Sequence, residues 1–450
     1  MQVRRRASSA GSIRRSSISA RDIEAIQKAI QKQRDLSNQV VSALIVILPI
    51  FSIFYAHLIY LKAGSMAQTI SGFLKPPYLL SLIPPLCDVV AWKCIAVLTS
   101  IQLLFYWFLP HDSALVLSTS IGDHNKSING FSSFLLILLL YPLGAALKFY
   151  RPDVIFLHFH SILGCLAILC VCLMLILYLS YRFGENNTID SLAEFYFGVE
   201  TYPTWAEIDV KHFVRTRITL TLWALHSITA LFHQRHLKGS IDGSSLALCL
   251  LQIFYILKSM WNEDLMLNSL DSRRAKCGFY RLWGDLVFFP AIYCAPMTTI
   301  ILTKTRLSLL AYLGLGMFGL VMVPLISFVD RQRYEFRIRK GMMKISGNDP
   351  FFIQAKYKTE TGDPAYNLLL GSGYWGYCRH PNYVCEILIF ACFCGFQGAK
   401  AAHYYFPLIF LVFYLILRTL NDENRCLAKY GSSWLQYCQR VPFRFIPGVF

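Results

Sequence analysis

The chain is 450 residues long, 55% hydrophobic, 15% aromatic and only 15% charged, with a mean hydropathy of +0.45. Soluble proteins carry roughly 25% charged and about 45–50% apolar residues, so the composition excludes a soluble α/β enzyme, a disordered scaffold and a secreted disulfide module, and leaves a polytopic membrane protein. The net charge of +17 is gathered between apolar runs, the pattern of cytosolic loops under the positive-inside rule rather than of a nucleic-acid-binding face.

Residues 1–39 are polar, with nine Lys/Arg against three acids. No apolar h-region follows the first arginines, so the segment is no signal peptide. It reads as a disordered basic cytosolic tail, with a short surface helix over 22–34 and phosphorylation patterns at Arg5-Arg6-Ala7-Ser8 and Arg14-Arg15-Ser16-Ser17. From residue 40 onward, apolar stretches match the length needed to cross hydrocarbon. They cover 40–61, 86–109, 131–147, 154–179, 218–232, 245–260, 279–302, 307–329, 383–396 and 404–417. The expectation is an all-α membrane domain of about ten transmembrane helices over 40–450. The stretch 330–379, with nine Lys/Arg against five acids, then shares the cytosolic side with both termini. The N-x-S/T matches at Asn125 and Asn186 also fall in the cytosol and stay unmodified.

Among the 14 cysteines, Cys165, Cys170, Cys172, Cys249, Cys392 and Cys394 lie in apolar stretches, where a thiol is a small hydrophobe. No CxxC pair occurs, and His158 and His160 stand without convergent partners, so no metal site is expected. Charges inside the spans are few: Asp88, Lys93, Lys258, Asp285 and Glu386, functional candidates by default. No internal repeat supports a transporter built from inverted halves.

Chemistry concentrates between Trp261 and Phe450. Gly371 to Gly376 matches G-x-G-x-x-G, but without a parallel α/β unit around it this is no dinucleotide fingerprint; the glycines are expected only to let backbone approach a ligand. Arg379-His380-Pro381-Asn382-Tyr383 sits at a span junction. Pro381 suits the first helical position, and the helix N-terminus beside Arg379 suits an anion such as a pyrophosphate. Arg418, Asp422, Arg425 and Lys429 recur along one helical stripe. With Arg333 and Arg337 they suit a polyanion, arginine forks matching phosphate bidentately, and a nucleotide with an extra 2′-phosphate is the natural guest. Asp285 and Tyr293 lie about 12 Å apart along a helix and are expected to point into one cavity.

The order W-N-E, then G-F/W-Y-x-x-W-G-D-x-V, then Q-K/R-x-x-F-R resembles the sterol reductases, as do S-G-x-W-G-x-x-R-H-x-N-Y and D-E-x-R-C-x-x-K-Y-G-x-x-W-x-x-Y. That family holds Δ7- and Δ14-reductases and the membrane domain of lamin B receptor. The resemblance is dense over 252–450. It implies a cytosol-facing NADPH pocket in the C-terminal half, joined to a lipid-facing sterol pocket. By position, Arg333, Arg337, Trp375, Arg379, His380, Asn382, Tyr383, Arg418, Asp422, Arg425, Lys429 and Tyr430 correspond to the NADPH site. Glu263, Asp285 and Tyr293 correspond to the catalytic, substrate end. The implied reaction is alkene protonation with hydride delivery in sterol biosynthesis, in the membrane of the endoplasmic reticulum or nuclear envelope. Sterol, membrane lipid and other enzymes of sterol biosynthesis are the implied partners, with no nucleic acid.

The chain departs from the family at Tyr202-Pro203-Thr204, Arg217-Ile218-Thr219, Ala295-Pro296 and Asp330, which bear on substrate fit and activity, and at Glu386, which replaces the usual Asp and keeps its charge. Trp261-Asn262-Glu263 and Tyr280 to Asp285 are closer to the Δ7 branch (7-dehydrocholesterol to cholesterol), whereas Arg379 to Tyr383 is closer to the Δ14 branch. Two further classes compete. A nuclear-envelope protein that binds chromatin through its tail has only about 39 residues for the task, too few for a folded reader domain. The isoprenylcysteine carboxyl methyltransferases share an R-H-P-x-Y element but are shorter and lack W-G-D…Tyr.

Overall fold

The computed structural model describes residues 43–61, 65, 69, 84–117, 124–185, 192–358, 362–399 and 401–449. The basic tail with its expected 22–34 helix, and Asn186, lie outside them. Among the described residues the main helices are α1 (Ala43–Leu61), α2 (Val89–Phe108), α3 (Gly130–Ala146), α4 (Phe159–Glu185), α5 (residues 210–238), α6 (Gly243–Trp261), α7 (Phe279–Leu302), α8 (Leu309–Ile338), α9 (Pro381–Gly395), α10 (Phe406–Tyr430) and α11 (Ser432–Arg440).

Among the described residues, seven helices are long and apolar enough to cross a membrane: α1, α2, α4, α6, α7, α8 and α10. The other three expected spans are helical too. However, α3 and α9 have 17 and 15 residues, and α5 carries Arg215, Arg217, Arg235 and Lys238. The expected span over 154–179 breaks after one turn, Val154–Leu157, before α4 begins.

Local chemistry sets the helix ends. Asp88 caps α2 by accepting from the N–H groups of Val90 and Ala91, and Ser308 caps α8 through Ala311, each satisfying donors that a helix start leaves open. At 30 residues, α8 is about 45 Å long, well beyond a hydrocarbon core of about 30 Å. Its last turns therefore project past the membrane and carry Arg331, Arg333 and Arg337 outward.

Burial singles out α7. Of its most apolar 18-residue window 83% is buried inside the protein, against 17% for α8, so α7 is the central post and α8 leaves most of its apolar window outside the core. The post is irregular: a π-helical stretch, Gly284–Phe288, and a break at Cys294 divide it. Trp283 ties it to α1 by donating from its indole N–H to Ser52 Oγ at 3.2 Å.

Among the described residues, three antiparallel hairpins accompany the helices: β1 (Asp112–Val116) with β2 (His124–Ile128), β3 (Thr204–Trp205) with β4 (Ile208–Asp209), and β5 (Phe352–Lys358) with β6 (Pro364–Leu370). Asn125 of the N-x-S match sits in β2. The last hairpin pairs from Phe352 with Leu370 to Lys358 with Pro364 and packs against α10 and α11 through Ala355, Leu369, Tyr430, Trp434, Tyr437 and Val441. The segment between α6 and α7 is tied down by Lys211, whose buried ammonium donates to the carbonyls of Thr201, Ser272 and Ala275 at 2.7–2.8 Å. Where α7 starts, a Cβ on Gly278 would stand 2.1 Å from the nitrogen of Gly198, itself at φ +90°. Only glycine permits that crossing.

Candidate active site

Two cavities meet where α6, α8, α9 and α10 leave the apolar core. The larger, about 650 Å³, runs from Leu44 and Leu48 of α1 and Phe288, Phe289, Phe410 and Leu411 to a charged end at Asp330, Arg333 and Arg337. The smaller, about 160 Å³, is lined by Arg273, Arg274, Arg333, Arg337, Arg379 and Lys429 against a single acid, Asp422. Asn268, Leu270, Arg273, Arg333, Arg337, Asn382 and Tyr383 line both. An anion compartment thus opens directly into a mainly apolar one.

Most of the expected cofactor residues gather there. Arg333, Arg337, Asn382 and Tyr383 stand on the shared wall, Arg418 on the larger cavity, and Trp375, Arg379, His380, Asp422, Lys429 and Tyr430 on the smaller. Their commitments differ. Arg333 lies over the Trp375 ring at 3.8 Å, and the Trp375 indole N–H donates to the Val329 carbonyl at 2.9 Å. Lys429 lies over the Tyr357 ring at 3.8 Å. The Tyr430 hydroxyl accepts from Asn367 at 2.6 Å. Arg337 has no acidic partner among the described residues, and its Nε is a buried donor without a hydrogen bond. A buried guanidinium left so is stable only beside an anion, and the donor set fits a phosphate-bearing guest.

Arg379 is spent on the fold. It reaches Glu423 at 2.9 Å, Cys438 Sγ at 2.9 Å and the Pro442 carbonyl at 3.0 Å. Arg444 joins the same Glu423 at 2.9 Å. The backbone N–H groups of Arg379 and His380 donate to the carbonyls of Phe443 and Arg444, so the C-terminal segment straps the start of α9. Pro381 opens that helix, as expected. His380 stacks on Tyr383 with ring centroids 4.8 Å apart. Burial, together with Arg333, Arg379, Arg418 and Arg444, pushes its imidazole down to about 3. It is therefore neutral at physiological pH, and its Nε2 has no partner among the described residues.

On α10, Arg418 donates to Asp271 Oδ2 at 2.8 Å and to the Tyr414 hydroxyl at 3.1 Å, joining the helix to the 262–278 segment. Burial would raise the Asp271 carboxyl, but Arg418, Arg281 and Arg215 outweigh it and hold it at about 2. Arg425 departs from the expected stripe: it is exposed and lines neither cavity. Each i to i+4 step advances a helical face by about 40°, so the inner ridge drifts along Arg418, Asp422, Cys426 and Tyr430 and leaves Arg425 on its outer edge.

The three expected catalytic residues do not converge. Tyr293 lines the larger cavity, ringed by Trp223, Phe289 and Phe390 at centroid distances of 4.8–5.2 Å. Asp285, expected in the same cavity, is buried against Arg281 at 2.8 Å, with Arg215 at 3.9 Å. The π-helical stretch around it shifts the helix phase that straight α spacing assumes. Glu263 lines neither cavity. It accepts from the Gly130 N–H at 2.7 Å, meets His212 Nε2 at 2.7 Å and Arg217 at 3.7 Å. Burial alone would raise its carboxyl; His212, Arg217 and the Gly130 N–H overcome that and keep it below the usual carboxylate range. Glu263 is the knot that joins α3, α5 and the start of the 262–278 segment.

The glycines of 371–376 line neither cavity. Gly373, at φ +62°, makes room for the Gln332 side chain, whose Oε1 accepts from the Tyr374 N–H at 3.0 Å. The preceding strand belongs to a hairpin, not to a parallel sheet.

Several wall residues escaped the sequence reading. Arg273 and Arg274 follow the noted Asp271, and Trp434 and Tyr437 stand inside the quoted C-terminal motif, so a signal existed. Asn268 and Asn367 carried none: Asn268 clasps β1 by accepting from the Leu117 N–H and donating to the Leu115 carbonyl, contacts made across some 150 residues. Lys258, Asp330 and Glu386, noted as charges or departures, line the larger cavity.

Fold and cavities together define a helical membrane protein in which an arginine-rich compartment adjoins a lipophilic one. The chain belongs to the family described as "Ergosterol biosynthesis ERG4/ERG24 family", which it matches over residues 26–450. It is therefore a sterol reductase family member, an oxidoreductase class of sterol biosynthesis. It is 29% identical over 423 residues to a 7-dehydrocholesterol reductase of Arabidopsis thaliana, covering 91% of this chain and 96% of that protein. A 7-dehydrocholesterol reductase of Xenopus laevis is 27% identical, covering 74% and 72%. A Delta(14)-sterol reductase of Dictyostelium discoideum is 27% identical, covering 72% and 70%.

Proposed function

We propose that the protein reduces the Δ7 double bond of a sterol, 7-dehydrocholesterol to cholesterol in type, with NADPH, in the membrane of the endoplasmic reticulum. The observation that carries this reading is the wall common to the two cavities: seven residues line both. A polyanionic carrier anchored in one can thus present its reactive end to an apolar guest in the other. Arg273, Arg274, Arg333, Arg337 and Lys429 would hold the phosphates, Arg337 gaining the partner that its buried Nε lacks. Trp375, His380, Asn382 and Tyr383 would flank the rest, with Arg418, Asp422 and Tyr430 at the margins. When bound, NADPH supplies a hydride to a substrate carbon.

The protein's own part is to orient, to dry and to protonate. Phe288, Phe289, Phe410 and Leu411 offer the flat, apolar contact that a sterol nucleus needs, and they keep water from a developing cation. Of the three expected catalytic residues only Tyr293 lines the cavity, and its hydroxyl is the proposed donor to the alkene. Asp285 and Glu263, each held in ion pairs, brace the wall instead.

The test is reduction by microsomes that contain the expressed protein, given NADPH with either a Δ5,7-sterol or a Δ8,14-sterol. Loss of the Δ7 bond from the first is expected. Product from the second alone reverses the assignment to Δ14, the reading that Arg379 to Tyr383 favours.

A further inference from the structure

We propose, resting on the reductase reading, that Glu386 stores the proton the reaction consumes, and that Lys258 and Asp330 form the file that refills it from the cofactor end. Among the described residues, three acids stand on the wall of the larger cavity: Asp271, Asp330 and Glu386. Asp271 is bound to Arg418 at 2.8 Å and is fixed in its charged form. Asp330 sits at the junction, accepting from Asn382 Nδ2 at 3.0 Å with Arg333 at 3.8 Å. Glu386 lies five residues into α9 from Pro381, roughly 7 Å deeper by helical rise. It accepts a hydrogen bond from the Tyr255 hydroxyl at 2.5 Å.

Lys258 lines the same wall and feels both carboxyls. Its ammonium lies over the Tyr255 ring at 4.7 Å and within electrostatic range of both Glu386 and Asp330. The groups that face Glu386 are Tyr255 and Lys258 from α6, Asp330 from α8, Arg215 from α5 and Tyr293 from α7. The file therefore starts beside Arg333 and Asn382, which also line the smaller cavity, and ends on the wall that Tyr293 shares, within its electrostatic range. A carboxyl half-buried on an apolar helix is retained at a cost that hydrocarbon in its place would avoid, and a proton store accounts for it.

The step balances. One C=C π bond is lost; one new C–H bond takes its hydrogen as hydride from the reduced nicotinamide carrier, which is oxidised. The other takes the Tyr293 hydroxyl proton, the Glu386 carboxyl reprotonates the phenolate, and Glu386 recovers a proton from the aqueous end through Lys258 and Asp330.

Glu386→Gln keeps shape and removes the store. Expected is a kcat lower by about 100-fold or more, the range of general-acid contributions, with unchanged NADPH affinity by fluorescence titration, a larger solvent isotope effect, and recovery in Glu386→Asp. A kcat within threefold of wild type overturns the inference, as does parallel loss of NADPH binding, which marks a structural role. Should Glu386→Gln not fold, Lys258→Met is read instead: a fall of about tenfold in kcat at constant NADPH affinity is expected, and an unchanged kcat overturns the file. A wild type inactive on both sterols overturns the reductase reading and this inference together, whereas an active wild type with an active Glu386→Gln removes this inference alone.

Discussion

Glu423→Gln probes how the N-terminal end of α9 is held. Glu423 takes Arg379 at 2.9 Å and Arg444 at 2.9–3.0 Å, and the strand-like bonds from Arg379 N–H to Phe443 O and from His380 N–H to Arg444 O depend on that clamp. Hydrogen bonds to charged groups contribute about 1.5–3 kcal/mol each. Gln keeps one acceptor oxygen for Arg379, and the Arg444 side chain, 33% exposed, exchanges part of its share for water. A local loss of about 2–3 kcal/mol is therefore expected. At about 1.4 kcal/mol per decade, amide exchange at Arg379 and His380 should quicken by about 30- to 150-fold. The assay is hydrogen–deuterium exchange of the full chain in detergent micelles or nanodiscs, with amides of α4 as the internal reference. An acceleration below threefold, or an equal one in α4, would refute the strap.

Arg337→Met should weaken NADPH binding by about 10- to 100-fold, the loss of one charge-assisted phosphate contact, while melting temperature holds or rises because no acid partner is orphaned; equilibrium titration and thermal melts check both. Tyr293→Phe should lower kcat by about 10²-fold or more at unchanged NADPH affinity, measured by steady-state reduction of the preferred sterol. His380 carries a pH signature. Its folded value, about 3, lies below the ordinary imidazole value near 6.5, so the unfolded state binds the extra proton and stability rises with pH across that window. The contribution is complete above about pH 6.5 and falls as the pH drops toward 3; His380→Gln should flatten the stability slope between about pH 6.5 and 5 in thermal melts.

The charged ring of the smaller cavity gives the fold a reason to extend α8 and α10 beyond the membrane. Arg273, Arg274, Arg333, Arg337 and Lys429 around Asp422 repel one another, and in a chain without a guest they would favour opening. The strap at Glu423, the Arg418–Asp271 bond and the packing of β5 and β6 on α11 hold the ring together before any guest arrives. That preorganisation is what lets binding energy act on alignment rather than on assembly.

Membrane class and helix positions were legible in the sequence because apolar length and charge deficit are properties of contiguous residues. The N-terminal proline of α9 and most of the cationic set were legible for the same reason: they sit in short motifs. What the tertiary structure decided was direction. Asp285 and Tyr293 share α7, yet a π-helical stretch turns one to Arg281 and the other to the cavity. Arg425 shares a stripe with Arg418 on paper and solvent with its neighbours in fact. Glu263 finds Gly130 and His212 across more than fifty residues of chain, and Asn268 finds β1 across about 150. Which way a side chain points is settled by helix phase and by partners remote in sequence, neither of which a linear spacing contains.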